Sequence, residues 1–163
     1  VYIQFIFYTL AGPNELRHLK VGHIDMDRRQ ILIAGDHAKT NFEAHVGISD
    51  SFAQVINDSG ILECPPDLFV FSNLLTVPGP RPVGSSYFYK QIKPYLEDFR
   101  KLNPNYDTYG FKHTGAISLY LATKDPYTVQ RQCRHTTLSQ TEKYLRDLGV
   151  FVGFENIKHW KGI

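Results

Sequence analysis

Cysteine is scarce: the 163 residues hold only Cys64 and Cys133. Two cysteines this far apart make no CxxC or other zinc spacing, and neither an HExxH nor a P-loop pattern is present. A cysteine-rich zinc module, a zincin-type centre and a Walker-type nucleotide site are thereby excluded, and no metal or other cofactor is expected. A disulfide has no support, and the low count fits a reducing, cytoplasmic setting. Met26 is the only methionine, and the chain begins at Val1 without the layout of a signal peptide. It is therefore read as a fragment of a longer protein, cut upstream. Long hydrophobic runs are missing too. The longest, Val1 to Leu10, is interrupted by Gln4 and Thr9. That is far short of the roughly 20 apolar residues a bilayer span requires, so no membrane partner is expected. Nor is there an excess of one charge: 18 Lys and Arg face 16 Asp and Glu, a formal net of +2. That balance does not by itself demand nucleic acid.

Hydrophobic residues make up 42% and charged residues 21%, ordinary globular usage that excludes disorder as the main state. A chain of this length buries roughly 70% of its unfolded surface and needs no staple. The charge is unevenly placed. Residues 112–163 carry eight Lys and Arg against four Asp and Glu, whereas residues 1–111 carry ten against twelve. An anionic partner is expected to meet the C-terminal third.

Along the chain, Val1 to Leu10 is a strand or a buried helix segment, which periodicity cannot decide. Pro13 opens a helix that Leu16, Leu19 and Lys20 continue and Gly22 stops. Ile24 to Met26, Gln30 to Ala34 and Ala44 to Ile48 read as a small antiparallel meander. Ser49 or Asp50 caps a helix ending at Gly60, and Ser85/Ser86 precede one with Phe88, Ile92, Tyr95, Leu96 and Phe99 on one face. Three further helices are expected at 109–123, 126–133 and 137–148. The class is α+β: mostly helical, with a small antiparallel sheet near the N-terminus.

Three blocks carry the chemistry. The first is Tyr8 to Lys20, reading YTLAGPNELRHLK. The second is Tyr109 to Ala116, reading YGFKHTGA, and the third is Arg134 to Leu145, reading RHTTLSQTEKYL. Together they resemble the catalytic domain of the tyrosine recombinases, the phage-integrase family. The most specific feature is His135 followed nine residues later by Tyr144, with Lys112 twenty-three residues before that histidine. Lys39, after the second expected strand, stands where the family keeps a lysine on a β-hairpin. The resemblance spans Tyr8 to Leu148 and implies a catalytic domain over 1–150, a C-terminal tail over 151–163, and a DNA-clamping domain upstream of this chain.

Metal-free cleavage of a phosphodiester needs a nucleophile, a proton donor for the leaving 5′ oxygen, and cations around the phosphoryl oxygens. The resemblance implies Tyr144 as nucleophile, through a 3′-phosphotyrosyl bond, and Lys39 as general acid. Lys112 and His135 would contact the phosphate, with Tyr109 beside them. Arg134 and Lys143 would contact DNA, and Glu15 would be a structural acid that holds an arginine. The partner implied is double-stranded DNA, bound by a homotetramer that is monomeric in isolation. His113 has a packing or structural hydrogen-bonding role, and the remaining histidines show no ligand spacing. The sequence departs from the family pattern at four places. Gly12 stands where the first block has an arginine, Tyr109 and Lys112 where the second has histidine and arginine, and Arg134 where glycine precedes the closing histidine. Arg17 lies too far along its helix to replace the arginine at 12 by an ordinary path. The alternative, favoured by Gly12, is a DNA-binding integrase remnant with impaired catalysis. A third reading is a globular α+β domain with another role. The last residues, with Ile157 and Trp160 on one face of a short helical pattern, are expected to dock between protomers.

Overall fold

The computed structural model describes residues 1–35, 43–72, 78–102 and 107–151. Lys39 and the tail from residue 152 onward, with Ile157 and Trp160, lie outside the described residues.

Seven helices are found among the described residues. α1 spans Tyr2–Thr9. Its buried residues are Tyr2, Phe5, Ile6 and Thr9, spaced i, i+3, i+4 and i+7, which is a helical stripe. Periodicity was silent in the sequence because the intervening Ile3, Phe7 and Tyr8 are apolar as well. Leu10, in the left-handed region at φ 53°, closes α1, and its N–H donates to the Ile6 carbonyl. α2 is shorter than expected, covering Pro13–Arg17 only. Beyond it the chain swings into an extended pairing: Val21 N–H donates to Leu68 O and Val70 N–H to Leu19 O. That tertiary ladder outweighs the helical propensity of Leu19 and Lys20.

The three strands, β1 (Ile24–Asp25), β2 (Gln30–Ile33) and β3 (Ala44–Gly47), form one antiparallel sheet in that order. Ile31 faces Ile24 on one side and Val46 on the other, so the three apolar residues share a face. α3 (Asp50–Asp58) starts at Ser49, whose Oγ accepts from Phe52 N–H at 3.3 Å. α4 (Tyr87–Leu102) runs through Pro94. The expected apolar face is only half used. Phe88, Ile92 and Leu96 are buried, but Tyr95 and Phe99 are 78% and 57% exposed. The helix touches the core along one i+4 ridge, 88–92–96, and residues flanking that ridge fall outside the contact.

α5 (Tyr109–Thr123), α6 (Pro126–Cys133) and α7 (Leu138–Asp147) lie within a residue of expectation. α1 packs on α5, α5 on α6, and α6 on both α7 and β3. The main core joins α1, the sheet, α3 and α4 through Phe5, Phe52, Phe71 and Phe88. A second core of Leu10, Ala116, Tyr120, Val129, Cys133 and Leu145 lies under α5 to α7. The chemistry-bearing residues lie on α5 (Tyr109, Lys112, His113), in the α6–α7 turn (His135) and on α7 (Tyr144). No described helix is long and apolar enough to cross a membrane.

Candidate active site

Four pieces of chain meet: the α1–α2 link, the first turns of α5, the α6–α7 turn, and the middle of α7. α5 begins where Asp107 Oδ1 accepts from Tyr109 N–H at 2.8 Å. Tyr109, Lys112 and His113 are spaced i, i+3 and i+4, so they share one face of that helix. Tyr109 and Lys112 border a small hollow with Gly12, Pro13, Ile6 and Ala11. The first and second sequence blocks are thus brought together.

α6, which leads into the α6–α7 turn, is fixed at both ends. Asp125 caps α6, its carboxylate accepting from Tyr127 N–H at 2.9 Å and Thr128 N–H at 3.1 Å. At the other end Arg134 takes φ 59°, ψ 38°, the left-handed region, and His135 N–H reaches back to Gln130 O at 3.0 Å. That six-to-one closure is a Schellman-type stop, normally given to glycine because a side chain there costs about 1–2 kcal/mol. Thr137 then caps α7, its Oγ1 accepting from Gln140 N–H at 3.2 Å. His135 is oriented from within this turn: its Nδ1 lies 3.0 Å from the hydroxyl of Thr141, which is fully buried.

Tyr144 sits on α7 between two imidazoles. His113 Nδ1 is 2.8 Å from its hydroxyl, and the His135 ring stands edge-on at 5.4 Å between centroids. Burial, and secondarily the Cys133 thiol, raise the phenol pKa well above its usual value. Burial lowers that of His113, with Lys112 adding to the effect and Asp107 opposing it. His113 is accordingly neutral at neutral pH. With Nδ1 unprotonated, the Tyr144 hydroxyl donates to it. Burial also pushes the Cys133 thiol up to about 11, against the pull of Lys112 and Arg134. Cys133 is therefore an inert core thiol.

Arg134 turns inward. Its side chain is 7% exposed, and Nη2 lies 2.7 Å from Glu15 Oε2, itself on a side chain 10% exposed. Nη1 also donates to the carbonyls of Thr9 at 3.3 Å and Gln132 at 3.2 Å, and Nη2 to Leu10 O at 3.5 Å. The expected DNA contact is thus occupied by protein acceptors, and the expected arginine partner of Glu15 is Arg134. Arg17 serves elsewhere, its Nε donating to Val83 O at 2.9 Å. Lys143 is exposed on α7.

A model of the phage integrase family matches residues 1–148. The chain belongs to the phage integrase family. Its fold is similar to that of the Tn1549 transposon integrase, solved in complex with a circular intermediate DNA, at a TM-score of 0.67 and 15% identity over 88% of this chain and 52% of that one. It is similar to XerA recombinase at 0.67 and 16%, over 98% and 57%, and to XerH site-specific recombinase bound to palindromic difH substrate at 0.63 and 21%, over 89% and 41%. The chain therefore spans about half the length of these solved chains. No curated protein matches it by sequence.

Within this phage-integrase fold, sequence reasoning underrates two residues. The sequence suggests only packing or a structural hydrogen bond for His113, whereas it is the direct partner of the Tyr144 hydroxyl. Its position one residue after Lys112 on the Tyr109 face was a usable signal, but the approach of α7 across 31 residues was not. Thr141 has no signal beyond its place in the third block, since a threonine inside an amphipathic helix is unremarkable.

Proposed function

We propose that this chain is the catalytic domain of a site-specific DNA recombinase that cuts and rejoins strands through a 3′-phosphotyrosyl intermediate. The observation that carries the reading is the Tyr144 hydroxyl held 2.8 Å from His113 Nδ1 beside His135. Tyr144 Oη attacks the scissile phosphorus and its proton passes to His113. The P–O bond to the 5′ carbon's oxygen breaks, and that oxygen takes a proton from a general acid, Lys39 in this reading. Lys112, with Tyr109 and His135 beside it, stabilises charge on the phosphoryl oxygens, where each such donor is worth about 2.7–4 kcal/mol. The phosphotyrosyl ester retains the energy of the broken bond, so attack by a 5′ hydroxyl reseals the strand without a nucleotide cofactor. Double-stranded DNA is the substrate in this reading, which is supported by the integrase neighbour solved in complex with a circular intermediate DNA and by XerH bound to palindromic difH substrate. A homotetramer assembled on DNA from monomers, in a cytoplasmic setting, belongs to the same proposal.

The test uses a pool of nicked duplexes of randomised sequence, in which the strand released by cleavage diffuses away. Wild-type chain gives a denaturant-resistant protein–DNA adduct, and Tyr144→Phe gives none while binding duplex equally well. An adduct that survives in Tyr144→Phe refutes the nucleophile. A second reading, a binding remnant with negligible turnover, is favoured by Gly12, which contributes no side-chain donor. It expects duplex binding without adduct in the wild-type chain.

A further inference from the structure

Two departures from the family pattern, Gly12 and Arg134, lie at opposite ends of the chain and meet on one oxygen atom. Gly12 N–H donates to Glu15 Oε2 at 2.6 Å, and Arg134 Nη2 donates to the same atom at 2.7 Å. The backbone at position 12 does not require glycine, and the backbone at 134 disfavours arginine. Gly12 has φ −78° and ψ 162°, extended geometry open to any residue. A Cβ there would meet Glu15 Oε2 at 3.5 Å and Tyr109 Oη at 3.9 Å, ordinary contacts that leave room for a side chain. Arg134, by contrast, holds a long side chain at φ 59°, where glycine is unstrained. Strain of this kind persists when the surrounding contacts over-determine it. Here those contacts are the Glu15 carboxylate and the carbonyls of Thr9, Leu10 and Gln132.

We propose that positions 12 and 134 have exchanged arginine for glycine, so that Arg134 supplies from the α6–α7 turn the guanidinium that an arginine at 12 would bring to Glu15. Arg134 is a positioning residue. It clamps the α1–α2 link, which borders Tyr109 and Lys112, to the turn that carries His135. Glu15 is a nearly buried carboxylate, and a single guanidinium neutralises it. The absence of a side chain at 12 leaves space that the incoming arginine would otherwise contest. Gly12 is then one half of a compensated pair, and restoring arginine there alone adds a second cation to a carboxylate already paired.

The inference rests on the recombinase reading for one of its two readouts only. Four forms of the chain are compared: wild type, R134G, G12R and the reciprocal G12R/R134G. The first readout is the melting temperature without DNA. The second is the single-turnover adduct rate on the randomised nicked duplex pool at saturating DNA, well below each melting temperature. R134G is expected to melt lower and to form adduct about 100-fold more slowly, the loss typical of a displaced site, with duplex affinity retained. G12R/R134G recovers both readouts, and G12R alone gains in neither. A reciprocal variant that stays as impaired as R134G in both readouts overturns the exchange, as does an R134G chain that melts and reacts like wild type. Should R134G fail to fold, folding of the reciprocal variant is the rescue and its failure the refutation. If no form, wild type included, gives adduct, the recombinase reading fails, and the melting temperatures of the four forms still decide the exchange.

Discussion

The proposed proton transfer from Tyr144 to His113, 2.8 Å apart, carries a pH dependence that follows from burial. Desolvation holds the His113 pKa below its ordinary 6.5. The imidazole is therefore neutral and able to accept the phenol proton throughout the neutral range. Adduct formation should hold its plateau down to about pH 6.5 and fall by about tenfold per unit only below the depressed His113 value. His113→Gln should lower the plateau by about 100-fold or more and remove that acid limb, as read from single-turnover rates between pH 5 and 8. An unchanged profile would assign the proton to another acceptor. The same shift has a stability sign. A histidine whose folded pKa lies below its unfolded value contributes fully above pH 6.5, and that contribution is lost as pH falls towards the folded value. His135 was legible from its nine-residue spacing to Tyr144, but its orientation by Thr141 was not. A buried hydroxyl acting on a histidine six residues back depends on how the α6–α7 turn closes. That closure is set by an arginine in left-handed geometry, which no residue preference signals.

At the scale of elements, the site depends on how closely α5 approaches α1. Gly115 makes that approach possible: a Cβ on it would collide with the Phe7 carbonyl oxygen and stand 2.9 Å from a Leu10 methyl. The first atom is backbone, so nothing can rotate away. Gly115→Ala should therefore force the helices apart at a cost of about 3 kcal/mol, seen as a melting temperature lower by about 10 °C. The adduct rate should fall with it, because Lys112 and His113 lie within one turn of the displaced residue. A variant that melts like wild type would mean that the helices pack more loosely than this contact implies. Elements with punctuation at both ends were readable. Asp125-Pro126 opens α6, Thr137 caps α7, and both boundaries fall within a residue of expectation. Elements without punctuation were not. α1 is apolar all round, so its period was hidden, and α2 stops early because residues 19–21 pair with 68–70. The exposed Tyr95 and Phe99 on α4 show the same limit: a helical stripe states which residues can face a core, not how far that core extends.

For the whole molecule, the asymmetry of charge gives the reading that binding can test most directly. Net charge is only +2, but the helices around Tyr144 concentrate the positive part. Lys124, Arg131, Lys143 and Arg146 are exposed on α5 to α7 or at their ends, whereas Lys112 and Arg134 are drawn into the site. Exposed lysines that meet phosphate release counterions, so each contact steepens the dependence of log K on log salt by about 0.9. Lys143 is exposed on α7, one residue before the proposed nucleophile Tyr144, and such a contact is proposed for it. Lys143→Ala should weaken duplex binding by a similar factor for any sequence and flatten the salt slope by about one. The buried Arg134 predicts the opposite pattern: R134G should leave the salt slope unchanged, because its donors are taken by Glu15 and backbone carbonyls. The two slopes, measured by fluorescence anisotropy on one random duplex between 50 and 300 mM salt (an interval of about the size over which such slopes are resolved), separate a residue that touches DNA from one that shapes the site. A slope that falls for R134G and not for Lys143→Ala would reverse the two assignments.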